Sequence, residues 1–177
     1  MLVLMAGLPG TGKTTLAREL AARTCGHILN KDEIRQALFA DREIEYSTAQ
    51  DDFCLQLMLE TAAYLLRRDT QRIIFLDGRP FSRRYQIDNA LHAAIALHQP
   101  WRILECVCPQ DLARLRLAGA SEERQAAARG AHPAENRNYE LYLQIRERFE
   151  AIAHPKIIID TAQPLEECIP QALAALR

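Results

Sequence analysis

A chain of 177 residues is long enough for one domain with a sizeable core and leaves little room for a second. Its 22 Lys and Arg nearly balance 23 Asp and Glu, so the overall charge gives no reason to expect a polyanionic partner. No apolar run approaches the roughly 18 residues of a membrane span, and the five scattered cysteines read as free thiols, because Cys106-x-Cys108 has no second pair at zinc-ligand spacing. Met1–Ala6 is apolar with no basic region before it, so it reads as a strand and not as a signal peptide. Free thiols and no membrane segment place the expectation in the cytoplasm.

The first strand runs into Gly7-Leu8-Pro9-Gly10-Thr11-Gly12-Lys13-Thr14-Thr15, which fits the phosphate-binding pattern G-x-x-x-x-G-K-[ST] at every fixed position. Leu16–Arg23 follows as a strong helix former with leucines four apart. A strand that ends in glycines and opens into a helix aims backbone N–H groups and a positive helix end at one point. Lys13 can then reach the β- and γ-phosphates of a nucleoside triphosphate, and the Thr14 hydroxyl can ligate Mg²⁺.

Strand candidates then recur at His27–Asn30, Arg72–Asp77, Trp101–Val107 and Lys156–Asp160. Helices are expected at Lys31–Phe39, Thr48–Arg68, Ser82–His98, Pro109–Leu117, Asn136–Ala153 and Leu165–Leu176. Ala40–Ser47 and Ala118–Glu135 are the least regular stretches. Short apolar strands alternating with helices imply βαβ units and a parallel sheet covered on both faces, in one domain over residues 1–177. Ligands bind such sheets at the carboxyl ends of the strands, so the residues after each strand carry the functional reading.

After the second strand, Asp32 and Arg35 lie one turn apart on one helix face. Asp32 can accept a hydroxyl proton as a phosphoryl group departs, or it can merely cap its helix; spacing leaves both open. Asn30-Lys31-Asp32-Glu33 echoes a guanine-reading N-K-x-D, but Glu33 stands where Asp is required and the position is too early. The third strand ends in Asp77, a carboxylate able to hold Mg²⁺ directly or through water opposite Thr14. Gly78-Arg79-Pro80-Phe81-Ser82-Arg83-Arg84 follows on the rim, with Arg79 and Arg84 the candidate contacts to acceptor or phosphate.

The phosphate loop together with Asp32-x-x-Arg35 resembles the phage-type polynucleotide kinase domain and its small P-loop relatives: chloramphenicol phosphotransferase, gluconate kinase and AAA-labelled small kinases. The resemblance spans essentially the whole chain. It implies a three-layer nucleoside-kinase-like fold with strand order 2-3-1-4-5, ATP as phosphoryl donor, Asp32 as general base and Arg35 against the acceptor. Arg116-Leu117 matches the first Arg-Leu of the gluconate-kinase-like lid, which would span about 114–137. The second lid arginine would fall at Ala120, so Arg124 or Arg129 must supply it. The polynucleotide kinase group often carries Asp-x-Thr-Asn after the third strand, where this chain has Arg79 and Pro80.

The function expected is ATP- and Mg²⁺-dependent transfer to a hydroxyl of a small molecule. A 5′-hydroxyl polynucleotide kinase and a nucleotide-binding regulatory module that transfers nothing are the alternatives. Glu33, Asp41, Glu43, Glu45, Asp51 and Asp52 face only Arg35 and Arg42 within the segment expected to border the acceptor. That surplus of acid favours a neutral or cationic acceptor over a nucleic acid.

Overall fold

The computed structural model describes residues 1–127 and 138–177, with only the backbone course of 120–127. Five parallel strands stand in the order β2-β3-β1-β4-β5. They are β1 (Leu2–Ala6), β2 (His27–Asn30), β3 (Ile74–Asp77), β4 (Trp101–Val107) and β5 (Ile157–Asp160). Among them run α1 (Lys13–Thr24), α2 (Lys31–Leu38), α3 (Thr48–Arg68), α4 (Arg84–Ala96), α5 (Gln110–Ala127), α6 (Tyr139–Glu147) and α7 (Leu165–Ala175). The expected strand order is the observed one. Among the described residues no helix is long and apolar enough to cross a membrane.

Period-two alternation in the central strand sorts the core into two layers. Leu2, Leu4 and Ala6 of β1 pack with Met58, Ala62 and Leu66 of α3 and Ile87, Ala90 and Leu91 of α4. Val3 and Met5 point the other way, onto Leu16, Ala17 and Leu20 of α1 and Ile169 and Ala172 of α7. All five β1 residues are buried, which is why the strand reads as one unbroken apolar run. A smaller cluster of Ala113, Leu117 and Tyr142 joins α5 to α6, with Leu8 of the phosphate loop packed against it.

Two helices depart from their expected bounds. Helix α5 continues ten residues past Leu117, to Ala127. Ala118, Ala120, Glu122, Glu123, Arg124 and Gln125 are strong helix formers, and together they outweigh the ~1 kcal/mol cost of Gly119. Helix α6 is shorter than Asn136–Ala153: Asn138 caps it, accepting from the Leu141 N–H at 2.8 Å, and it ends at Glu147. Phe53 is exposed on α3 and meets Phe39 edge-on at 6.0 Å. Arg129, His132 and Asn136 lie outside the described residues, and for Arg124 only the backbone is described.

All five cysteines are free. Burial beneath the phosphate loop pushes the Cys106 thiol up to about 12, whereas Cys25 is exposed on a positive-φ turn. At pH 9, roughly one Cys106 in a thousand is then a thiolate. Iodoacetamide on the native protein should therefore modify Cys25 and leave Cys106 unmodified until denaturant is added. Mass mapping that finds native Cys106 labelled as fast as Cys25 would contradict this packing.

Candidate active site

The phosphate loop holds its shape because glycine stands where a side chain could not. Gly7 has φ +128, and a Cβ on it would lie 2.2 Å from the Cys106 carbonyl oxygen at the end of β4. At Gly10, with φ +77, a Cβ would lie 2.8 Å from the Ala113 carbonyl of α5. The loop is thus clamped between β4 and the base of α5 before α1 begins at Lys13. Lys13 Nζ donates to the Leu8 carbonyl at 2.7 Å, and the Thr11 hydroxyl donates to the same oxygen at 2.7 Å. A lysine folded over its own loop, beside exposed N–H groups at a helix start, is an anion cradle.

On the far side of the loop, Arg116 is fixed by Thr161, the residue after β5. Its Nη2 donates to the Thr161 carbonyl at 2.7 Å and its Nη1 to the Thr161 hydroxyl at 3.2 Å. That hydroxyl in turn reaches the Thr11 carbonyl at 3.0 Å. Arg116, Thr161 and the loop form one hydrogen-bonded unit.

Toward β2 and β3, Asn30 organises two carboxylates at once. Its amide nitrogen donates to Asp77 Oδ2 at 2.8 Å, while its oxygen accepts from the backbone N–H groups of Asp32 at 2.9 Å and Glu33 at 3.2 Å. Asn30 is therefore the cap of α2. The capping alternative for Asp32 is removed, and its side chain turns to the cavity instead. Asp77 is 0% exposed, and its Oδ1 has no hydrogen-bond partner among the described residues.

Beyond Asp32, charges interlock. Lys31 Nζ lies 2.5 Å from Asp51 Oδ1 and 3.2 Å from Asp32 Oδ1. Arg35, 1% exposed, donates to Asp32 Oδ1 at 3.0 Å and also to Asp51. The Tyr46 ring covers its guanidinium at 5.3 Å. Arg79, 2% exposed, donates through Nη2 to Asp52 Oδ1 at 2.5 Å, and the Tyr85 hydroxyl lies 3.1 Å from Asp52 Oδ2. One cavity of about 920 Å³ is lined by Gly12, Lys13 and Thr14, by Asp32, Asp51 and Arg79, and by Arg116 and Thr161, while Arg35 and Asp52 stand behind its wall.

With this geometry in view, the relatives can be placed. The family model described as "AAA domain" matches residues 2–152. The chain belongs to this AAA domain family. Comparison with curated proteins gives no match. Among solved structures, a sugar kinase from Janibacter sp. HTCC2649 is similar at 21% identity and TM-score 0.66, over 99% of this chain and 93% of the other. The Mycobacterium tuberculosis APS kinase in complex with AMPPNP and APS is similar at 16% identity and TM-score 0.71, over 99% and 96%. Kti12 from Chaetomium thermophilum, in complex with ADP-AlF3, is similar at 18% identity and TM-score 0.69, over the full length of both chains. The fold is that of the small P-loop kinases.

In this AAA domain the loop residues Gly10, Gly12, Lys13, Thr14 and Thr15 reach the cavity together with Asp32, Arg79 and Arg116. Arg84 does not: it is exposed at the start of α4, and its neighbour Arg83 lines the cavity in its place. The Arg84 backbone N–H donates instead to Glu150 at 2.7 Å, and Arg83 pairs with the same carboxylate at 3.0 Å. These two contacts hold the Glu150 carboxyl below the usual carboxylate range, the backbone hydrogen bond first. Arg35 is spent on two carboxylates, and only its Nε has no partner among the described residues. The acid surplus expected along 33–52 is reduced by the fold, because Lys31 joins Arg35 at Asp51 while Arg79, from a distant loop, meets Asp52. Lys31, Tyr46, Tyr85 and Glu150 were not legible as site residues, since each reaches the cavity only through a tertiary approach.

The donor set suits Mg²⁺. Thr14 and Asp77 offer hard oxygens, and Asp77 Oδ1 is a buried acceptor without a partner among the described residues. Asp77 itself is not among the residues lining the cavity. Among the described residues no group of three or more His, Cys, Asp or Glu is placed to hold a metal.

Asn30→Ala should cost about 2–4 kcal/mol, combining a lost helix cap with a lost hydrogen bond to a buried carboxylate. Asn30→Asp keeps a capping oxygen yet sets a second carboxylate against Asp77, so it should be at least as damaging at pH 7. Urea unfolding measures both. An Asp variant as stable as wild type would mean that the Asn30–Asp77 contact carries no weight.

Proposed function

We propose that this protein transfers the γ-phosphoryl group of ATP, with Mg²⁺, to a hydroxyl of a small molecule. The observation that carries the reading is Asp32: relieved of capping by Asn30, it lines the same cavity as Lys13 and Thr14. A phosphate cradle alone serves any nucleotide-binding protein, whereas a carboxylate opposite it serves only one with an acceptor.

Lys13 and the N-terminus of α1 hold the β- and γ-phosphates, which fixes the donor. Thr14 and Asp77 would hold the ion, which supplies neutralisation of phosphate charge when bound. The acceptor hydroxyl lies against Asp32, whose carboxylate takes its proton. The acceptor oxygen–phosphorus bond forms as the bond from the γ-phosphorus to the bridging oxygen breaks, and ADP leaves. Lys31 and Arg35 fix the carboxylate's direction through Asp32 Oδ1. Arg116 sits beside Gly12, where it can balance nucleotide charge. Arg124 is proposed as the lid arginine. The sugar kinase and APS kinase neighbours support a small acceptor over a polynucleotide.

Kti12, which is not named as a kinase, favours a second reading: a nucleotide-binding module that hydrolyses without transferring. Asp32→Asn separates the two. In a kinase it should keep ATP binding and fold but lose roughly 10²- to 10⁴-fold in kcat, the usual worth of a general base. Lys13→Ala should abolish turnover in either case. Labelled-ATP transfer screened across sugars, nucleosides, hydroxy acids and 5′-hydroxyl oligonucleotides supplies the readout. Binding and hydrolysis indifferent to Asp32→Asn, with no alcohol phosphorylated, would establish the module instead.

A further inference from the structure

The Arg79 guanidinium is the least satisfied charge in the cavity wall. It is 2% exposed, yet Nε and Nη1 have no hydrogen-bond partner among the described residues, and only Nη2 is used. A guanidinium presents five N–H donors in a planar fork that matches two oxygens of one anion. Here a single carboxylate oxygen engages one corner of that fork. Arg35, equally buried, contrasts with it: two carboxylates take both its terminal nitrogens.

The backbone fixes where this half-used fork lies. Arg79 follows Gly78, whose φ of +85 turns the chain so tightly that a Cβ there would lie 2.9 Å from the Lys31 nitrogen. That turn sets Arg79 beside the start of α2, on the Asp32 side of the cavity and not the Arg116 side. Its partner is built to yield. The Asp52 side chain is 41% exposed, and its other contact is the hydroxyl of exposed Tyr85. Asp51, by contrast, is locked between Lys31 and Arg35.

We propose that Arg79 is a specificity-determining residue that receives an oxyanion, whether carboxylate, phosphate or sulfate, carried by the acceptor, and that Asp52 fills its place as an internal stand-in. This rests on the phosphotransferase reading above and reverses the neutral or cationic acceptor expected from sequence. The acceptor is then a hydroxylated anion. One end enters the Arg79 fork in exchange for Asp52, and its hydroxyl faces Asp32.

The test loads the protein with saturating Mg²⁺ and AMPPNP, so that the phosphate loop is occupied, and titrates inorganic phosphate or malonate against chloride at matched ionic strength. The melting temperature of wild type should rise with either oxyanion beyond the chloride control. Arg79→Lys, which keeps the charge but loses the fork, should abolish that rise while retaining stabilisation by AMPPNP. Asp52→Asn, which removes the competitor, should give the rise at roughly tenfold lower anion concentration, and this decides the matter if the lysine variant does not fold. No oxyanion-specific rise in wild type, or one unchanged in both variants, overturns the proposal. In the transfer screen, hydroxy acids or sugar phosphates should outperform neutral sugars. For these, Arg79→Lys should raise the acceptor KM about 10- to 100-fold with the ATP KM unchanged. An efficient neutral acceptor indifferent to Arg79→Lys overturns the proposal and leaves the kinase reading standing. No transfer to any alcohol, with AMPPNP still bound, overturns both.

Discussion

The Asn30 side chain is the contact on which the catalytic end of the sheet depends. One amide joins the ends of β2 and β3, because its nitrogen faces Asp77 across the pair in which Asn30 and Asp77 are in register. The same amide starts α2 through its oxygen. Burying the Asp77 carboxylate is costly, and one hydrogen bond offsets only part of that cost. The remaining oxygen has no partner among the described residues, and the Asp77 and Lys13 charges both act on the Cys106 thiol. Fixing Asp77 and freeing Asp32 are two consequences of one side chain. Leucine at position 30 would keep the strand and lose both.

The second constraint is charge balance in a partly dry wall. Lys31, Arg35 and Arg79 are nearly inaccessible to water, and each would be prohibitive alone. Asp32, Asp51 and Asp52 approach them from α2 and from the next helix, α3, so the ion pairs hold α3 against α2 and the loop after β3. Such a network contributes little net stability, since desolvation consumes most of the attraction. What it supplies is direction: Asp32 Oδ1 is held by two cations, Lys31 and Arg35, while Asp32 lines the cavity. A general base needs orientation before it needs strength.

Fold and donor site were legible because local rules and tertiary structure agree there. Apolar runs of strand length, a fixed glycine spacing and a helix-forming tail give the same result at every level, and order 2-3-1-4-5 followed from the family that the loop and Asp32-x-x-Arg35 resemble. The acceptor side was only half legible. Spacing could not decide whether Asp32 served as a base or as the cap of α2; the cap is Asn30, another favoured cap residue two positions earlier. Nor could it show that Arg79 would be buried, because a basic residue after a glycine turn usually points to water. The count of acids along 33–52 was incomplete for the same reason: it compared charges along the chain, whereas Asp52 meets a cation 27 residues away. Helix α5, expected to end at Leu117, runs on to Ala127 because the strong helix formers after Leu117 outweigh Gly119.

Donor and acceptor halves are also built to different tolerances. On the donor side, Gly7 and Gly10 press against backbone atoms of β4 and α5, and Thr161 ties the loop to Arg116 across 45 residues of sequence. Backbone packing of this kind admits one shape, as a phosphate chain of fixed geometry requires. The acceptor wall is made instead from side-chain tips, with Tyr46 and Tyr85 both partly in water and Asp52 partnered on one face only. Such tips can change without disturbing the sheet beneath them. A rigid phosphate loop thus stands beside a wall whose side-chain tips can be substituted. That contrast explains why this sequence declares its phosphate loop plainly and its acceptor only through tertiary contacts.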